Sequence, residues 1–144
     1  MYEDQVESPE EELKRADHLV YVSLKYTRTC DVIKNAIKRM IAAYELAFDE
    51  YLTVKKNREE LPASTKEKAT LVKALLGNPA RKYLALYNHL KKIDKADYDA
   101  FDEFRKGVTL KTRTPIPIEV KMPDLYAYLE ITKQFVAYLR QVLK

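Results

Sequence analysis

The chain contains few of the side chains that general acid–base catalysis or metal binding requires. It has two histidines, His18 and His89. Arg81 precedes His89 by eight residues, which on one helix sets the two side chains about 80° apart around the axis and about 12 Å along it. They cannot meet on one phosphate within a single helix. Two isolated histidines also predict no metal site, and nothing in the sequence predicts a cofactor.

The single cysteine, Cys30, has no partner for an internal disulfide. Arg28 and Lys34 lie close to it in sequence, and cations of this kind lower the pKa of a reactive thiol. Without a nearby histidine or a second ligand, however, a buried and inert small side chain is the better prediction. A lone thiol fits a reducing compartment, so we expect a cytoplasmic location.

Cations around an irregular segment form the best candidate binding patch. Removing residues 1–12, which carry six carboxylates and no cation, leaves 26 basic and 16 acidic side chains, a net +10 for residues 13–144. A basic body favours a polyanion such as nucleic acid. Cations and threonine hydroxyls contact phosphates, so we predict phosphate or partner binding by five residues: Arg105, Lys106, Lys111, Arg113 and Lys121. The alternative is a solvated surface, since abundant Lys and Glu with few Gln and Asn is typical of heat-adapted proteins.

Another charged run, from Asp94 to Glu103, contains five carboxylates. It lacks the glycine and the terminal glutamate of a calcium-binding loop, so we expect a solvated face with helix-capping roles. The 11 tyrosines are expected mostly in or beside the core, with their hydroxyls at its rim. Any that are exposed would suit a protein interface or the stacking of bases.

Helix signals dominate the first two thirds of the chain. Ser8 and Pro9 predict a helix start, and no Gly or Pro follows until Pro62. One helix of that length would measure about 70 Å, too long for a domain of this size, so we predict a break near Thr27–Asp31 and two antiparallel helices. A second capping sequence begins at Ser64, and its helix ends at Gly77.

The next elements are shorter. Asn78 and Pro79 predict a cap and first turn for another helix. Asp94 would cap a short helix that carries Tyr98, Phe101 and Phe104 and closes at Gly107. Residues 108–121 alternate apolar and polar side chains, which predicts a β-hairpin or an extended arm. Pro123 opens a final helix with a broad apolar face.

Together these signals predict an all-α fold, a helical bundle of about five or six helices with a short extended or β-hairpin arm before the C-terminal helix. With 144 residues and two glycines, residues 1–144 are expected to form a single helical domain, of which residues 1–8 are a disordered acidic N-terminus. No apolar run approaches a membrane span, and the acidic start does not fit a secretory signal.

The architecture resembles HEPN domains over residues 12–110. The similarity lies in the sequence from Ala16 to Tyr21 (ADHLVY), in Ile33 to Ile37 (IKNAI), and in the long tyrosine-bearing helix and shorter helices that follow. HEPN domains are small helical bundles, commonly dimeric, that act as ribonucleases, as toxins paired with nucleotidyltransferases or as nucleotide-binding partners. The resemblance implies a homodimer, through the first long helices or the final one, with RNA or a nucleotidyltransferase-type protein as its partner.

Active HEPN members carry an arginine, four to six residues and then a histidine. Seven residues separate Arg81 from His89, two separate Arg15 from His18, and no histidine follows Arg105 in the segment up to Leu110. The resemblance therefore implies a non-catalytic HEPN-like interaction or RNA-associated module. Two alternatives stay open: a ribonuclease whose His89 or His18 is supplied across a dimer interface, and a scaffold for a protein partner. Whether the chain is an enzyme is left undecided.

Overall fold

The computed structural model describes residues 7–56 and 61–144, so most of the predicted disordered N-terminus lies outside the described residues. The fold is an all-α helical bundle with a small antiparallel sheet before the last helix, as predicted. The helices of the described chain are α1 (Pro9–His18), α2 (Leu24–Tyr26), α3 (Cys30–Lys55), α4 (Thr65–Leu76), α5 (Arg81–Lys95) and α6 (Met122–Val142).

The predicted break between the first two long helices is confirmed. Ser8 Oγ accepts a hydrogen bond from the Glu11 N–H and starts α1, which continues through a π-helical turn at Leu19–Ser23 into α2. The helical conformation ends at Thr27, and the Thr29 side chain caps α3. Because α3 then runs back along α1, Glu12 near the start of the chain reaches Arg39.

The helix ends around α4 follow the sequence signals with one exception. The Ser64 hydroxyl accepts a hydrogen bond from the Glu67 N–H at the start of α4, and Gly77 ends it with φ +69°, a conformation that glycine adopts without strain. The prediction that Asn78 caps the next helix is wrong. Asn78–Ala80 is itself a 3₁₀ turn, closed by a hydrogen bond from the Ala80 N–H to the Gly77 carbonyl, and α5 begins after it.

The short helix predicted around Tyr98 is also wrong. The segment forms strand β1 (Tyr98–Phe101), which pairs with β2 (Thr109–Thr112), and β2 pairs with β3 (Glu119–Val120) in the order β1-β2-β3. The predicted hairpin is therefore present and has gained a third strand. Asp102 and Phe104 have φ of 54° and 69°, which rules out a right-handed helix through the connection between β1 and β2.

The core is built around α3, which packs against α1, α4, α5 and α6. Its centre is aromatic: the Tyr44 ring stacks on Phe135 with centroids 4.8 Å apart, and Phe48 lies edge-on to Phe135 at 5.9 Å. The Tyr44 hydroxyl donates to the Tyr83 carbonyl at 2.8 Å, so this buried phenol is satisfied. Most tyrosines contribute to the core or its rim, while Tyr26 is 78% exposed.

Candidate functional site

The five cations predicted to bind phosphate lie in the sheet arm, residues 96–121, and are interleaved with carboxylates. Arg113 donates from Nε and Nη2 to one oxygen of Asp99, at 2.9 and 2.6 Å. This hydrogen bond lowers the pKa of Asp99 and raises that of Arg113. Lys111 stands opposite Asp99 on one side and Glu119 on the other. These strand pairings bring opposite charges together.

The other three cations of this prediction lie at two separate places in the arm. Arg105 and Lys106 are exposed in the turn between β1 and β2, and Lys121 precedes α6, where its backbone N–H bonds to the Asp124 carboxylate at 2.8 Å. Residues 96–121 hold five cations and five carboxylates, a net charge of zero. The arm is therefore electroneutral as a whole.

The histidines and Arg81 do not form one site within the chain. His89 is half-buried, and its Nε2 lies 3.2 Å from the hydroxyl of Tyr128 on α6. Burial lowers the pKa of this imidazole. Arg81 is exposed on the side of α5 that meets α4, where it lines a hollow with Lys73 and other α4 residues. His89 therefore contacts α6, whereas Arg81 lies against α4.

His18 lies in a shallow depression of about 350 Å³ on α1 and α3, whose lining does not include His89. The cations beside it are organised by Glu12, whose carboxylate is nearly buried and accepts from Arg15 at 3.0 Å and from Arg39 at 3.2 Å. Removing either partner would leave a buried charge short of hydrogen bonds. The cluster ties α1 to α3.

A cleft between α4 and α5 is lined by a group of cations. We call it the α4–α5 cleft; its volume is about 720 Å³. Five of its lining residues are lysines, two on α4 and three on α5: Lys66, Lys73, Lys91, Lys92 and Lys95. The remaining lining residues are Ser64, Thr65, Ala69, Thr70, Leu84, Tyr87 and Asn88. The hollow that contains Arg81, about 550 Å³, shares Thr70 and Lys73 with this cleft and extends it.

Most of these lysines have no carboxylate partner among the residues that the structure describes. Lys91 lies 3.4 Å from Glu45, while the other four have no ion pair with any carboxylate in the described parts of the chain. Residues 64–95 hold eight cations and two carboxylates, a net +6, which exceeds the +4 of the whole chain. The positive charge of the protein is therefore concentrated on α4 and α5.

The floor of the α4–α5 cleft is apolar, and three of its four hydroxyls are already engaged. Tyr87 donates to Glu45 at 2.8 Å, and burial together with this bond raises the pKa of the phenol. The hydroxyl of Ser64 serves the helix cap, and that of Thr70 donates to the Lys66 carbonyl. The ammonium groups are thus the main donors for a ligand. Among the described residues the lining contains no histidine, cysteine or carboxylate, and its ammonium groups suit the binding of an anion.

No single motif in the sequence marks this cleft, because its lysines are spread over 30 residues. Two signals pointed to it. Lys66 and Lys73 are seven residues apart and therefore share a face of α4, and Lys91 and Lys95 are four apart on α5. The charge of the 64–95 window was the other signal.

No metal site is present in the described residues: no group of three or more His, Cys, Asp or Glu there is arranged to hold an ion. The acidic run does not converge, since Asp94 pairs with Lys38 and Glu103 accepts from the Cys30 N–H. Cys30 is buried as predicted, and burial raises the pKa of its thiol to about 11. None of the described helices is both long and apolar enough to span a bilayer.

Comparison with known proteins identifies no relative of this chain. No family model matches the chain, and neither the curated proteins nor the solved structures include one with detectable similarity to it.

Proposed function

We propose that this chain is a non-catalytic, RNA-associated binding module that holds a phosphate backbone in the α4–α5 cleft. The observation that carries the proposal is the cleft itself, with five lysines around about 720 Å³ and four of them free of described ion pairs. Lysines that neutralise phosphates release condensed counterions, which drives binding without base recognition.

The HEPN-like assignment is part of the same proposal. The helical bundle is compatible with it, and the separation of Arg81 from His89 fits a binding member. Arg81 faces α4 whereas His89 bonds to Tyr128 on α6, so the two cannot act on one phosphate in this fold. An acidic surface of a nucleotidyltransferase-type protein is the alternative occupant of the same lysines.

The test is fluorescence anisotropy with a labelled single-stranded RNA pool across a salt series. For about four phosphate contacts, the logarithm of the association constant should fall by roughly 3 for each tenfold rise in salt. A variant with Lys66, Lys73, Lys92 and Lys95 changed to Gln should bind at least about tenfold more weakly at low salt and lose most of the slope.

A matched control removes the same charge elsewhere. Changing Arg105, Lys106, Lys111 and Lys121 to Gln also lowers the net charge by four but leaves the cleft intact. Equal losses from the two variants would contradict the cleft as the binding site, and salt-independent binding or none would contradict the RNA proposal.

The same samples distinguish the two alternatives. RNA cleavage that disappears in a His18→Ala, His89→Ala double variant would establish the ribonuclease instead. Absence of RNA binding, with an acidic protein retained by the wild-type chain and lost by the cleft variant, would favour the scaffold.

A further inference from the structure

The hollow that contains Arg81 and the α4–α5 cleft are two parts of one groove. They share lining residues on α4, Lys73 among them. A short turn joins α4 to α5, so the end of α4 lies beside the start of α5. Lys73 and Arg81 therefore line the groove at this turn. Lys66 near the start of α4 and Lys95 at the end of α5 line it at the opposite end.

The length of the groove follows from α5, which begins at Arg81 and ends at Lys95. At about 1.5 Å per residue, these two residues lie about 21 Å apart along the helix axis. A stacked nucleic-acid strand advances about 3.4 Å per phosphate, and an extended strand advances further. The groove therefore contacts at most about six consecutive phosphates of one strand.

The cross-section of the groove suits a single strand. The cleft, at about 720 Å³, is in the size range of pockets that hold one small ligand. A double helix, whose major groove alone is about 12 Å wide, is too broad to enter it. Inside the cleft, lysines of α4 and of α5 flank an apolar floor where Leu84 and Tyr87 are each 4% exposed. A single strand can lay the apolar face of an unstacked base on this floor while lysines on both sides contact its phosphates.

Arg81 supplies a different kind of cation at the turn. Its guanidinium carries paired N–H donors that match phosphate oxygens, whereas a lysine is a point charge. Arg81 is exposed, and the described lining of its hollow contains no carboxylate. The neighbouring Lys82 is also exposed but lines neither hollow, and its Nζ lies over the Tyr83 ring, 5.1 Å from the centroid. Of these two adjacent cations, only Arg81 faces the groove.

We propose that the groove binds single-stranded RNA over no more than about six nucleotides, and that Arg81 holds the phosphate that lies at the turn. This inference rests on the proposed function and adds to it the strandedness of the RNA, the length of the site and a residue outside the group of five lysines. Longer strands gain no further phosphate contacts, and duplex RNA contacts only the rim of the groove.

The first test is a length series with the full chain and labelled oligouridylates of about two to about twelve nucleotides. Fluorescence anisotropy at about 50 mM salt should show affinity and salt dependence that both rise up to about six nucleotides. Beyond that length the slope against salt should stay constant. A strand of about twelve nucleotides should gain only roughly sevenfold in affinity, because it offers about seven overlapping positions of six nucleotides. An RNA duplex of about twelve base pairs should bind at least about tenfold more weakly than the single strand.

The second test compares Arg81→Gln with Lys82→Gln, a matched control that removes one cation from the next position of α5. Arg81→Gln should weaken binding of the six-nucleotide strand up to about tenfold at this salt and reduce the slope by about 1. Lys82→Gln should leave affinity within about twofold, because its side chain lies outside the groove.

The outcomes separate this inference from the function on which it rests. If the wild-type chain bound no RNA, both would be overturned. If the variant with four Lys→Gln changes in the cleft lost RNA binding, the proposed function would stand. The inference alone would then be overturned by a slope that keeps rising beyond about six nucleotides, by a duplex bound as tightly as the single strand, or by equal losses from Arg81→Gln and Lys82→Gln.

Discussion

The sheet arm and the α4–α5 segment are two cation-rich segments that differ in net charge. Residues 96–121 carry five cations and no net charge, whereas residues 64–95 carry eight cations and a net +6. In the arm, strand pairing sets Arg113 and Lys111 beside carboxylates. On the helices, spacings of four and seven residues place lysines on one side, where they line a common cavity.

The difference shows that a run of cations predicts a binding site only when the helix or strand that carries it is also known. A strand offers each side chain a neighbour directly across the sheet, so acidic and basic residues in alternating strands neutralise each other. A helix face turned towards a second helix concentrates charge of one sign unless carboxylates recur at the same spacing. The cations of the arm are matched in number by carboxylates of the same segment, whereas those of the cleft have few carboxylates near them in the sequence.

The largest expected effect comes from moving positive charge between the two regions. The cleft variant with four Lys→Gln changes is combined with Asp97→Asn, Asp99→Asn, Asp102→Asn and Glu119→Gln, which restores the net charge of +4 but places it on the arm. If the cleft is the site, RNA affinity at about 50 mM salt should stay two to three orders of magnitude below wild type, since each lost phosphate contact costs up to roughly tenfold there.

Anisotropy at fixed pH and salt measures this effect, and circular dichroism shows whether the combined variant is folded. Recovery of wild-type affinity would mean that net charge governs binding, and the comparison between the regions would then carry no functional meaning.

The next effect concerns the arm as a folded unit. Leu110 is fully buried in β2, so Leu110→Ala should lower the free energy of unfolding by about 3 kcal/mol through lost burial and the cavity left behind. Urea denaturation measures the loss. Ile116→Ala is the control, because Ile116 is 85% exposed and should change stability by less than about 0.5 kcal/mol. A small loss at Leu110 would show that the arm is only loosely attached to the bundle.

A smaller effect tests whether charges of the arm have structural roles. Glu103 accepts from the Cys30 N–H at 2.8 Å and so binds the arm to the start of α3. Glu103→Ala should cost about 1 kcal/mol, as the loss of a helix cap does, and Glu103→Gln, which keeps an acceptor, should cost less.

Cys30 reports on the same junction. Its thiol is buried, bonds to the Thr109 carbonyl at 3.3 Å and has a pKa raised to about 11, so it should resist iodoacetamide at pH 8. Glu103→Ala should speed alkylation by opening the junction. Equal rates in the wild type and this variant would show that Glu103 does not hold the arm against α3.

The helices could be predicted from the sequence because their signals are local. Ser8, Ser64 and Gly77 act at helix ends through bonds to residues three or four positions away. Strand β1 could not, because its pairing with β2 is non-local and the three-residue spacing of Tyr98, Phe101 and Phe104 imitates a helix face. The cleft was missed for a related reason, since it exists only where α4 and α5 pack together.

The smallest effect is at His89, which lies on the side of α5 turned away from the cleft. Its pKa is lowered chiefly by burial and secondarily by Lys92, with Asp124 acting in the opposite direction. The folded state therefore favours the neutral ring, so its contribution to stability is complete above the unfolded pKa of about 6.5 and is lost as pH falls through the folded value. His89→Gln should flatten the dependence of the urea midpoint on pH between 7.5 and 5.5. RNA affinity should not change with this substitution, because the described residues that line the cleft include no histidine. If His89→Gln lost RNA binding, His89 would have to belong to the RNA site. That result would contradict the assignment of the cleft and of the contact with α6 to different faces of α5.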